Sequence, residues 1–209
     1  MKQESDNGES PPKGIDGAIH RAGQLIQAGG VVAFPTETFY GLAVDPFQPA
    51  ALVRLSQLKE RDPAKPFLLL IDSCSSLSRL TDRIPSRYDQ LMDQFWPGPL
   101  TLIFQGIKGL PLAVTGRDGS VAVRLSSHPV ARKIAAAAGG IITGTSANPS
   151  GVPPPVTASH VKALFPDGLA FTFAGGRTPG GAGSTIVALD GEALILIRAG
   201  EIPFADLAL

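Results

Sequence analysis

Four stretches hold the side chains that could do chemistry, and each lies beside an apolar run. In KERDPAKPFLLLI, residues 59–71, Lys59, Glu60, Arg61, Asp62 and Lys65 crowd around Pro63. Two uses are open to these cations. They can pair within the turn with Glu60 and Asp62, as surface charges usually do. Alternatively a bent segment can wrap Lys59 and Arg61 around one anion while Lys65 closes the clamp. A charge-assisted hydrogen bond to phosphate contributes about 1.5–3 kcal/mol once partly desolvated. Asp62-Pro63 keeps a preceding helix from running on, because the residue before proline avoids the helical region.

PTETFYGLAVDPF, residues 35–47, offers the Thr36 and Thr38 hydroxyls after the run VVAF. Pro35 is expected to end strand pairing and turn those hydroxyls toward a crevice; a threonine-rich capping turn is the alternative. TGTSANPSGVPPP, residues 143–155, presents Thr145, Ser146 and Asn148. GTSAN approaches the G-x-S-x-G nucleophile elbow, but Asn148 stands where the last glycine belongs. Pro149 and Pro153 to Pro155 also oppose the helix that must follow. Both points weigh against a serine hydrolase built on Ser146 and His128, and leave an Asx-type turn without chemistry as the other reading. GGRTPGGAGST, residues 175–185, lacks the Lys-Ser/Thr end of a Walker A, and Ile186 breaks a G-x-G-x-x-G. It reads as a flexible approach that presents Ser184. Arg124 and Arg198 end the apolar runs VAVR and LILIR, where a guanidinium needs either an anion in a crevice or a structural acid.

The elements that must position these residues follow from periodicity. Ile15, Ala18, Ile19, Ala22, Leu25 and Ile26 form a helical stripe closed by Gly29-Gly30. Helices are also expected over 50–60, 86–96, 129–138 (with Pro129 at a favourable first position) and 157–165. Strands are expected at 31–35, 67–71, 100–104, 121–125, 141–143, 169–173, 185–189 and 193–198. Short helices alternating with short apolar strands predict a single-domain α/β (α+β) fold over 14–209, with one twisted mixed sheet and flanking helices.

Composition limits the function classes. The chain has 209 residues, 18 cations against 18 anions, and 44% hydrophobic residues. A zero net charge lacks the basic footprint of a general nucleic-acid binder, so any anion site must be local. Cys74 is the single cysteine, which rules out an internal disulfide, and His20, His128 and His160 are far apart in the chain. Residues 1–13 read as a disordered polar tail, neither a secretory signal nor a membrane anchor. A cytoplasmic location is the expectation.

Taken in order, PTETFYGLAVDPF, LKERDPAKPFLLL, FWPGPLTLIF, VAVRLSSHPVARKIAAAAGG, TSANPSG, GSTIV and LIRAGEI resemble the threonylcarbamoyl-AMP synthases, the YrdC-type domain, from about Ile15 to Ile202. The family signature, Lys-x-Arg followed at a distance by Ser-x-Asn, falls on Lys59, Arg61, Ser146 and Asn148. The resemblance implies a YrdC-like fold with a large concave cleft. It also implies synthesis of threonylcarbamoyl-adenylate and pyrophosphate from ATP, L-threonine and bicarbonate. A downstream tRNA threonylcarbamoyl transferase complex would then carry the group to an adenosine beside the tRNA anticodon. Lys59, Arg61 and Lys65 would cradle the triphosphate; Ser146 and Asn148 would bond the nucleotide, with Ser120 and Arg198 as additional contacts. Thr36, Arg124 and Ser184 would hold threonine. Mg2+ is expected with ATP, with no protein ligands identified.

The chain departs from the family pattern in three places. The strand FLLLI lacks a histidine that some longer relatives carry there. STIVA has Ala188 where an aspartate often stands. The chain is expected to stop about where the shared domain stops, without the second domain of longer relatives. Two rival functions accompany the main one: an RNA-binding module without catalysis, and a relative that forms carbamoyl-adenylate.

Overall fold

The computed structural model describes residues 14–62 and 64–207; the tail expected over 1–13 lies outside them. The helices are α1 (Ile15–Gln27), α2 (Pro49–Leu58), α3 (Ser86–Phe95), α4 (Pro129–Ala137) and α5 (Ala158–Leu164). The strands are β1 (Val32–Pro35), β2 (Tyr40–Ala43), β3 (Leu69–Ile71), β4 (Leu100–Gln105), β5 (Ser120–Leu125), β6 (Ile141–Thr143), β7 (Thr145–Ser146), β8 (Phe171–Thr172), β9 (Thr185–Asp190) and β10 (Ala193–Arg198).

Helix α1 buries Ile19, Ala22, Gly23 and Ile26, the stripe legible in the sequence. Its end is a Schellman turn: Gly29 takes φ 81°, and the amides of Gly29 and Gly30 donate back to Ile26 and Leu25. Gly139 and Gly140 close α4 in the same way, donating to Ala136 and Ala135.

The strands form mixed sheets, as expected, but two of them where one was anticipated. The larger has the order β10-β9-β4-β5-β3-β6 and the smaller β7-β2-β1-β8. Alternation along β1, β3 and β6 lets each strand bury both faces. Val32, Phe34, Leu70 and Ile142 pack with α1 and α4. Ala33, Leu69, Ile71 and Ile141 join the opposite cluster with Leu52, Leu55, Tyr88 and Leu91.

The expectation that Pro35 ends strand pairing, with no strand over 40–43, needs correcting. Tyr40–Ala43 is a strand, and Pro35 pairs in register with Tyr40 instead of ending the ladder. All four residues of β2 are buried, so no polar alternation marks it. The two-residue β7, pairing Ser146 with Gly41, was likewise hidden in a loop. The strand expected over 169–173 contracts to Phe171–Thr172, because β1 offers it a partner only at Val32 and Ala33.

Helices α1 and α4 approach closely where Gly23 faces Ala137. A Cβ on Gly23 would lie 2.6 Å from Ala137 main chain and Cβ. Gly23→Ala should therefore lower stability by about 1–3 kcal/mol through overpacking, despite alanine's better helix propensity, as read by urea unfolding.

Candidate active site

Between the two sheets lies a cleft of about 410 Å3. The β1–β2 turn reaches it first. Thr36 Oγ1 donates to Phe39 O at 2.7 Å and accepts the Thr38 amide at 3.2 Å, so it caps the turn. Thr36 and Thr38 also line the cleft. Capping turn and cleft wall, the two alternatives for this stretch, are both realised.

Helix α2 ends at Leu58 in a third Schellman turn, built without glycine. Glu60 takes φ 50°, its amide donates to Gln57, and the Arg61 amide donates to Ser56. A left-handed glutamate costs about 1–2 kcal/mol, and it reverses the chain between the two cations. Arg61 lines the cleft. Its Nε and Nη2 donate to Lys65 O and Pro66 O at 3.0 and 2.9 Å, and its guanidinium stacks 4.8 Å from the Phe67 ring centre. Lys59 turns the other way. It is 3% exposed, and its Nζ donates to the main-chain carbonyls of Ser146 and Asn148.

Of the three cations anticipated as a clamp, Lys59, Arg61 and Lys65, only Arg61 lines the cleft. The Lys65 side chain is exposed, and its carbonyl serves Arg61. The Ser-x-Asn pair divides similarly. Ser146 lines the cleft, whereas Asn148 Nδ2 donates to Pro149 O and Val152 O within its own loop. No helix follows before α5, consistent with the proline argument against an elbow. His128 is occupied as the N-cap of α4, where its Nδ1 accepts the Val130 amide at 3.3 Å.

Arg124 and Arg198 both line the cleft and have different partners. Arg198 donates to Ser184 O at 2.8 Å and to Ser184 Oγ at 3.0 Å; Ser184 Oγ also meets Thr101 Oγ1 at 2.9 Å. Arg124, 5% exposed, forms a 3.3 Å ion pair with Glu37, a residue that drew no attention in the sequence. The second Glu37 oxygen accepts the Ser126 hydroxyl. A carboxylate two residues after Pro35 carries no local signal for a partner on β5. Burial pulls the pKa of all three guanidinium groups down, and the neighbouring Arg124 charge does so further at Arg198.

The segment 175–185, expected to be a flexible approach, is pinned along its length. The Thr178 amide donates to Val156 O, the Gly180 amide to Thr38 O at 2.7 Å, and Glu201 accepts the Ala182 amide. It brings Ser184, together with Ala182 and Gly183, to the cleft. Ser120 sits elsewhere, opposite Gln105 at the start of β5, in a turn with Asp118. It is not among the cleft-lining residues. Of the sequence-derived site residues, the cleft brings together Thr36, Arg61, Arg124, Ser146, Ser184 and Arg198.

Residues 24–200 match the Sua5/YciO/YrdC family model, which is described as telomere recombination. The chain belongs to this family. A Pyrococcus abyssi relative, threonylcarbamoyl-AMP synthase, is 35% identical over 189 residues, covering 90% of this chain and 56% of its own length. The synthase of the same name from Stutzerimonas stutzeri is 36% identical over 160 residues, covering 77% of this chain and 86% of the relative. The chain therefore spans about half of the first relative and most of the second. Among solved structures, P. abyssi Sua5 complexed with L-threonine superposes with TM-score 0.86 at 35% identity, over 90% of this chain and 56% of that one. Escherichia coli YciO, at 22% identity and TM-score 0.81, covers 91% of this chain and 93% of its own, and shares the Sua5/YciO/YrdC fold.

Two outcomes follow from the electrostatics. Glu37→Gln leaves the buried Arg124 charge without its partner and should cost about 3 kcal/mol, read by urea unfolding with Arg124→Met and the double variant closing the cycle. Burial, with the Arg61 charge adding to it, pushes the Lys59 pKa from 10.5 down to about 7. The unfolded chain then binds the extra proton between those values. Stability relative to Lys59→Met should rise with pH across that window, as measured by unfolding at several pH values from about 7 to 10.

Proposed function

We propose that this chain is an L-threonylcarbamoyladenylate synthase, a nucleotidyltransferase that uses ATP, L-threonine and bicarbonate. One observation carries the reading. Arg61, Arg124 and Arg198 converge with Thr36, Ser146 and Ser184 on a single cleft whose lining contains no carboxylate among the described residues. Such a wall is built for polyanions, and its volume lies within the range of small-molecule sites. The family relationship and the threonine-bound Sua5 relative support the choice of substrates.

In this reading the threonine amine attacks carbon dioxide derived from bicarbonate, forming the N–C bond and releasing a proton. A carboxylate oxygen of that carbamate then attacks the α-phosphorus of ATP. The bond from the α-phosphorus to the bridging oxygen breaks, and pyrophosphate leaves with that electron pair. Transfer of this kind needs placement and charge neutralisation more than covalent help. Arg61, held rigid by two carbonyls and a ring, opposes the charge on the leaving pyrophosphate. Ser146 and Arg198 contact the nucleotide. Arg124 grips the threonine carboxylate, with Thr36 and Ser184 beside it.

No group of three or more His, Cys, Asp or Glu that could hold a metal occurs among the described residues. Mg2+ is accordingly proposed as an ion carried by the phosphates, and no step is assigned to protein ligands. The product is a reactive mixed anhydride, so a tRNA threonylcarbamoyl transferase is proposed as its consumer, in the cytoplasm. No helix among the described residues is long and apolar enough to cross a membrane.

The deciding assay supplies ATP with and without threonine and bicarbonate and follows pyrophosphate, with the acylated adenylate identified by mass spectrometry. Release that needs both co-substrates is the expected result; release indifferent to threonine, or none, refutes the reading. Arg61→Ala should lower the rate about 100-fold or more while the thermal melt stays close to that of the wild type. Full activity in that variant removes Arg61 from the site.

A further inference from the structure

Lys59 touches one loop at four points, from two directions. Its Nζ donates to the carbonyls of Ser146 and Asn148. Its own carbonyl accepts the Ser150 amide at 3.1 Å and the Ser150 hydroxyl at 3.3 Å. The loop so held is short and irregular. It leaves the small sheet at Ser146, where the Ala147 amide still donates to Tyr40 O at 2.8 Å, turns through Asn148 and Pro149, and is otherwise stiffened by bonds within itself, from Asn148 Nδ2 and from the Asn148 and Val152 amides. The ammonium has three donors and no acceptor, and two of them are spent on these carbonyls at a position 3% exposed. Lys59 does not line the cleft; Ser146 does.

We propose that Lys59 is a positioning residue: it fixes the Ser146–Ser150 loop, and through it the place of Ser146 on the nucleotide, and does not contact the triphosphate itself. This rests on the nucleotide reading above. The amine keeps two N–H groups when it loses its proton, so the clasp persists on either side of the pH near 7 at which burial sets its titration.

A direct phosphate ligand and a loop clasp differ in what they do to nucleotides of different charge. A ligand of the β- or γ-phosphate matters for ATP and not for AMP. A clasp acting through Ser146 weakens both alike. Calorimetric titration of the full chain with ATP and with AMP, for wild type and Lys59→Met, separates the two. Both affinities should fall about tenfold or more, with their ratio unchanged within about twofold. Arg61→Ala serves as the contrast, losing ATP affinity far more than AMP affinity. Ser150→Ala, which loosens the clasp from the loop side, should weaken both nucleotides by an equal but smaller factor, and gives a second measurement should Lys59→Met fold poorly. An ATP loss at least about tenfold larger than the AMP loss in Lys59→Met, or no loss of either, overturns the inference. Failure of the wild type to bind any nucleotide instead overturns the reading beneath it.

Discussion

The chain changes sheets at a single residue, Gly144, and the cleft depends on that crossing. Thr143 ends β6 at the edge of the large sheet, opposite Leu69, and Thr145 begins β7 at the edge of the small one, opposite Leu42. The Gly144 amide donates to Leu68 O at 2.7 Å. A Cβ at this position would lie 2.5 Å from Leu70 Cγ and 3.0 Å from Leu68 Cδ2. Any side chain there would drive β3 from its neighbours or part the two sheets. The seam is tightened by Thr143, whose amide donates to Val44 O and whose hydroxyl accepts the Val44 amide at 3.0 Å. With the sheets held together along this line, residues from both converge on one space.

A chain of zero net charge can still concentrate positive charge, and here it does so inside the cleft. Each guanidinium must be fixed while no anion is bound. Arg61 is fixed by two carbonyls and a ring, and Arg198 by Ser184. Neutral partners orient the groups without cancelling their charge, which leaves an attraction for a polyanion intact. Arg124 is the exception, because Glu37 offsets most of its charge. That difference would suit the division of labour proposed above, with Arg61 and Arg198 for phosphates and Arg124 for a singly charged carboxylate. Preorganisation of this kind is where electrostatic catalysis gets its strength, since little reorganisation is left for the reaction itself.

Much of the fold was legible because it rests on local rules. The glycine pairs 29–30 and 139–140 end helices by a conformation that other residues adopt at a cost, and the stripe Ile19, Ala22, Ile26 could face only one core. What escaped was non-local. Strand β2 is fully buried and four residues long, so it shows no alternation, and β7 is a strand only because Gly41 and Leu42 pair with it. Division of the strands into two sheets turns on the crowding around Gly144, and no residue near it in sequence announces the side chains of Leu68 and Leu70. Glu37 was missed for the same reason: its partners, Arg124 and Ser126, are 87 and 89 positions away.

The functional signature was found, but half of its roles could not be read from spacing. Residues two apart share a side in an extended strand and lie on different sides of a helix, so Lys-x-Arg fixes a direction only once the backbone between them is known. Glu60 supplies the answer. Its left-handed conformation belongs to the cap of α2, a local necessity of ending that helix, and it sends Lys59 inward and Arg61 to the cleft. Ser146 and Asn148 part where β7 gives way to a turn. Each half of the motif therefore contributes one residue to the cleft and one to the structure behind it. The members that do not line the cleft, Lys59 and Asn148, hold the same loop. Residue types chosen for an anion site thus serve equally well to satisfy carbonyls that a tight loop leaves exposed. An ammonium that meets two such carbonyls where solvent scarcely reaches, at 3% exposure, is more useful there than at the rim, where water would compete for it.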